Sequence, residues 1–558
     1  MARPDTQSVA RLLREYAQRS SLRGGNPYRA KAYLRAADSL RALSEPLERI
    51  IAEGGLTELR GIGDAIADII TTLHQTGSHP SLEKLRKDVP EGVLELFSIP
   101  GLRPDKILKL HQSLGVSSLE DLEAAAKDGL IAKTKGLGAS LQTKVLQNLA
   151  IARSAETQLH LHKAAALLEH AVEILRRRHP EFVKLQVAGD FRRGSELVSD
   201  LAVVAEAKQP AENKPSGGLN LVITDKRHFG AQLLNATGSA EHVRLLHERA
   251  KELGMELRPD GLYRGKKLIA SATEADIYES LRLQFIEPEL REGRNEIEKA
   301  ERNKLPKLVS DADLHGIVHC HTDASDGTAT LAAMANATRE RGFEYFGVAD
   351  HSRSAHYAGG LSIEEIEEQH READRLNRSY GKEFRILKGI EADILADGSL
   401  DYPDEILATF DFVVASVHSR FRMTKKDQTD RIIRAVQNPY TTILGHMTGR
   451  QLTRRPGYEI DIDKLLRACA KFGVAVEINA HPWRLDLDWR WHEKALAHGC
   501  IFSINPDAHS IGELDHMHWG VETARKGGVP AKSVLNAMKL PALLRYLSSR
   551  RHLSNRAA

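Results

Sequence analysis

The sequence predicts a multidomain chain of mixed class, with helical modules first, a separate middle unit and a distorted (β/α)7 barrel last. Three observations carry this expectation. A length of 558 residues exceeds what one core organises. Residues 1–155 read as short helices joined by small-residue turns, without strand alternation. From residue 313, seven short apolar runs alternate with helical stretches, the pattern of parallel β/α architecture. The expected divisions are a helical domain over 1–85, a second over 86–155, a middle unit over 156–300, a linker over 301–312, the barrel over 313–545 and a tail over 546–558.

Composition narrows the classes. Hydrophobic content of 41% and charged content of 28% suit a globular chain and exclude disordered or fibrous ones. No run approaches the length of a spanning helix, and the first residues lack the apolar core of a secretory signal, so a cytoplasmic protein without a membrane partner is expected. Cys320, Cys469 and Cys500 build neither a disulfide framework nor a cysteine-rich zinc site. With 79 basic against 76 acidic residues, net charge says nothing about partners. Histidine is informative: 15 of the 25 lie beyond residue 310, in the shorter part of the chain.

In the first 155 residues three segments share a pattern: Leu59-Arg60-Gly61-Ile62-Gly63-Asp64, Ile99-Pro100-Gly101-Leu102-Arg103-Pro104 and Lys135-Gly136-Leu137-Gly138-Ala139-Ser140. Each is a tight turn opening an amphipathic helix, predicted over 65–73, 105–114 and 141–149. A glycine turn at a helix start leaves backbone N–H groups free for an anion, and on DNA that anion is a phosphate. Helix packing alone also needs glycine, but three such turns within about 80 residues favour binding. Gly61, Gly63, Gly101, Gly136 and Gly138 are the candidate DNA contacts, the middle turn being weakest because Arg103 replaces its second glycine. These segments resemble helix-hairpin-helix motifs, and Asn26-Pro27-Tyr28-Arg29-Ala30-Lys31-Ala32-Tyr33 resembles the start of the N-terminal domain of family X DNA polymerases.

The same resemblance continues to about residue 300 and implies an α+β palm and thumb over 156–300. Val187-Ala188-Gly189-Asp190-Phe191-Arg192-Arg193-Gly194-Ser195-Glu196 is similar to the turn of the family X palm that holds the nucleotide phosphates. Two carboxylates at i and i+2 on a strand face one side and can grip Mg²⁺ together. Here Asp200 is present, Ala202 stands at the second position, and the family's third carboxylate falls on Asn220, with Asp225 as a possible substitute. Asp190 replaces the phosphate-binding serine, Asn235-Ala236 replaces the aromatic pair beneath the sugar, and Ile69 stands where eukaryotic relatives carry the Schiff-base lysine. Residues Gly189, Asp190, Arg192, Arg193, Asp200, Ala202 and Asn220 thus mark a degenerate polymerase site without Mg²⁺, because one carboxylate cannot build a two-metal clamp.

In the last part, nearly every apolar run ends in a metal-binding residue: His319 and His321 with Asp326, Asp350-His351, Glu391, His418, His446, and Asp507 with His509. The sixth run ends in Glu477, Asn479 and His481. One histidine after a strand is commonly a core residue, but six strands of seven ending this way converge on the face where barrel active sites lie. On an extended segment His319 and His321 point to the same space. His160 and His162 repeat the spacing inside a helix predicted over 156–175, about 200° apart, and read as surface residues, as do His516 and His518.

The motifs His319-x-His321, Ser325-Asp326-Gly327, Asp350-His351-Ser352, Gly389-Ile390-Glu391-Ala392-Asp393, Ala415-Ser416-Val417-His418-Ser419, Gly445-His446-x-Thr448-Gly449 and Asp507-Ala508-His509-Ser510 resemble the PHP (polymerase and histidinol phosphatase) domain. The resemblance implies nine ligands, His319, His321, Asp326, His351, Glu391, His418, His446, Asp507 and His509, around three divalent ions, with Glu391 bridging. Imidazole and carboxylate donors suit Mn²⁺, Zn²⁺ or Fe²⁺. Glu391 and Asp507 are candidate catalytic residues, and Arg420 and Arg450 candidate phosphate clamps.

Domain order is similar to that of bacterial family X polymerases with a C-terminal PHP domain. This implies a monomeric DNA-repair phosphoesterase that binds gapped, nicked or 3′-ended DNA without sequence preference. The reactions implied are 3′–5′ exonuclease, 3′-phosphatase and abasic-site endonuclease, with polymerisation lost. A gap-filling polymerase using Asp225, and a non-catalytic DNA-binding scaffold, are the competing readings.

Overall fold

The computed structural model describes residues 4–24, 27–41, 47–59, 62–99, 102–155, 158–208 and 219–554. The N-terminal helices Thr6–Leu22, Pro27–Arg41, Leu47–Ala52, Asp64–Thr76 and Pro80–Arg86 close over Val9, Leu13, Tyr33, Leu40, Ile70 and Leu73. Asp5 caps the first of them by accepting from Ser8 N at 2.8 Å. A second set, Pro104–Leu114, Leu119–Lys127, Leu130–Lys133 and Ala139–Ala155, surrounds Val93, Leu96, Ile107, Leu122, Ile131 and Val145.

The middle unit begins with a two-stranded ribbon, β1 (Leu159–His160) against β3 (Leu197–Val198). A three-stranded sheet runs β2 (Phe182–Ala188), β4 (Leu201–Ala207), β5 (Leu219–Thr224), with β2 antiparallel and β5 parallel to the central β4. Beyond it lie the helices Phe229–Thr237, Ala240–Glu252 and Glu274–Ser280 and a meander of β6 (Glu256–Arg258), β7 (Gly261–Arg264) and β8 (Lys267–Ala270).

Each of the seven apolar runs forms a strand: β9 (Gly316–Cys320), β10 (Tyr345–Val348), β11 (Arg385–Asp393), β12 (Phe412–Ser416), β13 (Ile443–Leu444), β14 (Ala475–Asn479) and β15 (Phe502–Asn505). All pair in parallel and in chain order. The ends of the sheet meet where Cys320 bridges Ala508 and His321 N donates to Ala508 O at 2.8 Å, which nearly closes a barrel. Alternation sorts the side chains. Phe412 and Val414 fill the interior with Val318, Leu387 and Ile443, while Val413 and Ala415 face the surrounding helices.

The C-terminal helix Leu540–Ser554 inserts Leu543 and Leu547 into the barrel's interior cluster, so it runs across the tail boundary drawn at residue 545. The stretch drawn as a linker is also packed: Val309 is fully buried and donates to Val529 O at 3.0 Å. His160 differs as well. It ends β1 ahead of a helix beginning at Leu161, and is buried with its ring 4.1 Å from that of Trp483, not set on a surface helix. Among the described residues no helix is long and apolar enough to cross a membrane.

Candidate metal centre

The C-terminal ends of the barrel strands bring the nine predicted ligands together. Glu391, on β11 and 1% exposed, lies at the middle. Its Oε1 is 3.3 Å from His319 Nε2, 3.3 Å from His418 Nε2 and 3.0 Å from His446 Nε2. Its Oε2 is 3.0 Å from His351 Nδ1 and 3.7 Å from His321 Nε2. Asp507 approaches His321 at 3.1 Å, and Asp326 approaches His509 at 3.2 Å and His351 at 3.6 Å. Three overlapping groups, His321/Asp326/His351/His509, His319/His321/Asp507 and His351/Glu391/His418, each have donor atoms within 4.8 Å of one another and can hold a metal ion.

Local backbone geometry aims these side chains. β9 shifts register against β10 between Phe346 and Val348, and His319 in that bulge has φ 60°. His319 and His321 therefore converge through a bulge, where simple strand alternation was expected. Asp507 has φ 53°. Non-glycine residues held in this left-handed region cost about 1–3 kcal/mol each, and such strain concentrates at functional sites.

An outer layer fixes the rings. His319 Nδ1 meets Glu477 Oε1 at 2.5 Å, and Glu477 Oε2 accepts from His446 N at 2.6 Å. Asp393 meets His418 Nδ1 at 2.6 Å. Asp350 is not part of the cluster: its carboxylate accepts from Thr322 N, Thr322 Oγ1, Ser325 Oγ and Gln369 Nε2, tying down the loop that carries Asp326.

The donor set fits divalent ions. His319 Nε2, His321 Nδ1, His351 Nδ1 and Glu391 Oε2 are buried without a hydrogen-bond partner, a costly arrangement unless a cation faces them. Burial opposes charge on Glu391, but His418, His319 and His351 outweigh it and hold the carboxyl well below its ordinary range. Burial likewise opposes protonation of His418, but Glu391 and Asp393 push it up to about 10. His509 is raised to about 9, where Asp326 and Asp507 overcome burial. Either ring would have to release a proton to bind a metal.

At the rim, Arg420 is exposed with φ 56° and has no ion pair among the described residues. Arg450 is differently employed. Its guanidinium pairs with Glu196 at 3.0 Å and Asp488 at 2.8 Å and donates to the Arg484 and Leu485 carbonyls, so it has little left for a substrate phosphate. Arg484, which sequence reasoning missed, has its Nε 3.6 Å from Asp507 Oδ2. Glu477 was visible as a strand end and Asp393 within a motif, but nothing in the sequence marked their partners. His481 lies outside the cluster, its ring 5.1 Å from that of His516.

In the middle unit, Ala202 is fully buried and pairs with Asn220 across β4 and β5, while exposed Asp200 precedes β4 and meets Asn220 Nδ2 at 3.5 Å. Arg192 is bound by Glu274 at 2.6 Å, and Arg193 by Asp190 at 2.6 Å and Glu292 at 3.1 Å. Gly189 is left-handed at φ 67° and lies against Asp200 O. Asp225 caps its own turn through His228 N at 2.9 Å. Of the five helical-domain glycines, Gly61 and Gly101 lie outside the described residues. Gly136 and Gly138 are left-handed, at φ 82° and 83°, and precede the helix Ala139–Ala155. That helix has no acid in its first turn, whereas the helix after Gly63 begins with Asp64 and the middle one contains Asp105. The third turn is therefore the best suited to a phosphate.

Comparison with known proteins agrees with this layout. The family model for a helix-hairpin-helix domain matches residues 4–79, that for the DNA polymerase beta thumb 232–292, and that for the PHP domain 318–481. The chain is 33% identical over 571 residues to "DNA polymerase/3'-5' exonuclease PolX" of Bacillus subtilis, covering 97% of this chain and 99% of that protein. The chain belongs to the PolX family. As in that family, a PHP domain follows the polymerase-like region. The PHP region of this PolX-family chain also resembles free-standing proteins. A "Probable phosphatase" of Thermoanaerobacter sp. (strain X514) is 29% identical over 248 residues, 41% of this chain and 91% of that protein. Another from Acetivibrio thermocellus is 32% identical over 176 residues, 30% of this chain and 65% of that protein.

Proposed function

We propose that this PolX-family chain is a DNA-end phosphoesterase: its PHP centre cleaves phosphate esters as a 3′–5′ exonuclease, 3′-phosphatase and abasic-site endonuclease, and its palm no longer polymerises. The observation that carries this reading is Glu391, one buried carboxylate facing five imidazoles through its two oxygens. Three divalent ions, Mn²⁺, Zn²⁺ or Fe²⁺, held by the nine ligands would lower the pKa of a water and neutralise the leaving oxygen. Glu391 and Asp507 would supply the buried carboxylates that help hold them. Arg484 and Arg420 would orient the phosphate, in place of the paired Arg450. The helical turns, Gly136 and Gly138 above all, would hold duplex phosphates regardless of sequence. All nine ligands come from one chain, so the working unit is read as a monomer.

Two facts support loss of synthesis. Asp200 has a neutral amide as its partner, and the arginines of the nucleotide turn are occupied by Glu274, Asp190 and Glu292. The competing reading, a gap-filling polymerase, draws on the name of the Bacillus relative. With Mn²⁺, the protein should shorten or dephosphorylate 3′-ended DNA, and His319→Ala and Asp507→Ala should abolish this. Full activity in both after a chelator wash would refute the assignment. Primer extension across a one-nucleotide gap should be undetectable, and incorporation lost on Asp200→Ala would restore the polymerase reading.

A further inference from the structure

Beside the metal centre stands one aromatic ring that the fold does not use. Tyr357 is 70% exposed, yet its ring centroid is 6.1 Å from that of His351 and 6.4 Å from that of His418, nearly edge-on to the latter at 75°. A single exposed aromatic is ordinary. Its mounting is not. The loop leaves the barrel directly after the ligand His351 and is tied at its base, where Leu361 N donates to His351 O at 2.9 Å. Ser354 N donates to Asp401 Oδ2 at 2.9 Å, and Arg353 N to Tyr402 Oη at 3.0 Å. At Gly360 a Cβ would lie 1.8 Å from Ser352 O, so the loop is closed as tightly as a backbone allows. Arg484 and Arg455 lie within electrostatic reach of the same tyrosine. Arg455 is partly buried, and its Nε and Nη2 donate to Gly449 O.

A rigid, outward aromatic with two guanidiniums in electrostatic reach suits a stacked base on a phosphate-bearing strand. Every base has a π-face, so such a platform accepts any sequence. We propose that Tyr357 stacks the terminal nucleobase of a DNA strand whose last phosphate lies at the metal centre beside Arg484, with Arg455 attracting the next phosphate along the strand. This rests on the reading of the centre as a DNA-end phosphoesterase.

The test compares a single-stranded oligonucleotide with glycerol 2-phosphate, both with Mn²⁺. Tyr357→Ala should raise KM for the oligonucleotide about tenfold, and reduce its kcat/KM about tenfold more than that of the small ester. Tyr357→Phe should stay within about twofold of the parent, because stacking needs the ring and not the hydroxyl. A strand lacking its terminal base should bind the parent as poorly as an intact strand binds Tyr357→Ala. Equal losses on both substrates, or a Phe variant as impaired as Ala, would overturn the platform alone. A parent protein that hydrolyses glycerol 2-phosphate but not DNA would overturn the reading of DNA as the substrate and the platform with it.

Discussion

Glu477 shows how much of the centre rests on residues that touch no substrate. Its two oxygens serve two of the clustered histidines at once, the His319 ring and the His446 backbone, so it orients both and raises the basicity of one. Glu477→Gln preserves volume but removes the charge that holds the His319 tautomer. Metal affinity, measured by titration of the chelator-stripped protein, should weaken by about 10–100-fold. Asp393→Asn should do the same through His418. The residues gathered around Glu391 were largely legible because most of them end or closely follow an apolar run. Glu477 ends one too, yet it points its carboxylate at a neighbouring imidazole, and strand position alone does not separate a ligand from the residue that orients it. Arg450 misled for a related reason. Four residues past His446 it reads as a free clamp, and its main partner, Glu196, is 254 positions away.

Among the elements, the helix Glu274–Ser280 carries a buried carboxylate held between two arginines. Glu274 is buried between Arg192 and the fully buried Arg291. Burial raises its pKa, but the two guanidiniums outweigh this and hold the carboxyl below its usual 4.5. The unfolded chain takes up this proton first, so the carboxylate's contribution is complete above 4.5 and is lost as the pH falls towards the depressed folded value. Glu274→Gln should destabilise the protein by about 3–5 kcal/mol at neutral pH, because it leaves the buried Arg291 and the half-buried Arg192 short of an anion. Denaturant melts at pH 7 and pH 4 check this: the gap between parent and variant should narrow at the lower pH. The seven barrel strands were legible for a simpler reason. Buried on both sides, they read as continuous apolar runs. The bulge in β9 was not legible, because it arises from pairing register and not from composition.

Across the whole molecule, the middle unit and the barrel form one braced body. Glu196 links to Arg450 and Arg490, Lys526 to Glu292, Arg525 to Glu289 and Lys299 to Glu493. His160 packs on Trp483 and meets Thr453 Oγ1 at 2.9 Å. Burial pulls the pKa of His160 down to about 4, so the interface contribution is full above 6.5 and erodes between 6.5 and 4. Limited proteolysis should show the junction becoming cleavable across that pH window, and less steeply in His160→Gln. Such a brace couples regions of very different chemical duty. If synthesis has been abandoned, substitutions at Asp200 or Asn220 cost the barrel nothing, whereas a change at Glu196 or His160 loosens the seat of the Arg484–Asp488 loop beside the metal centre. Mutational drift should then fall unevenly within the palm: free along the vacated nucleotide cleft, restrained along the seam. A lineage can lose an enzyme in this way and still be unable to discard the domain that housed it.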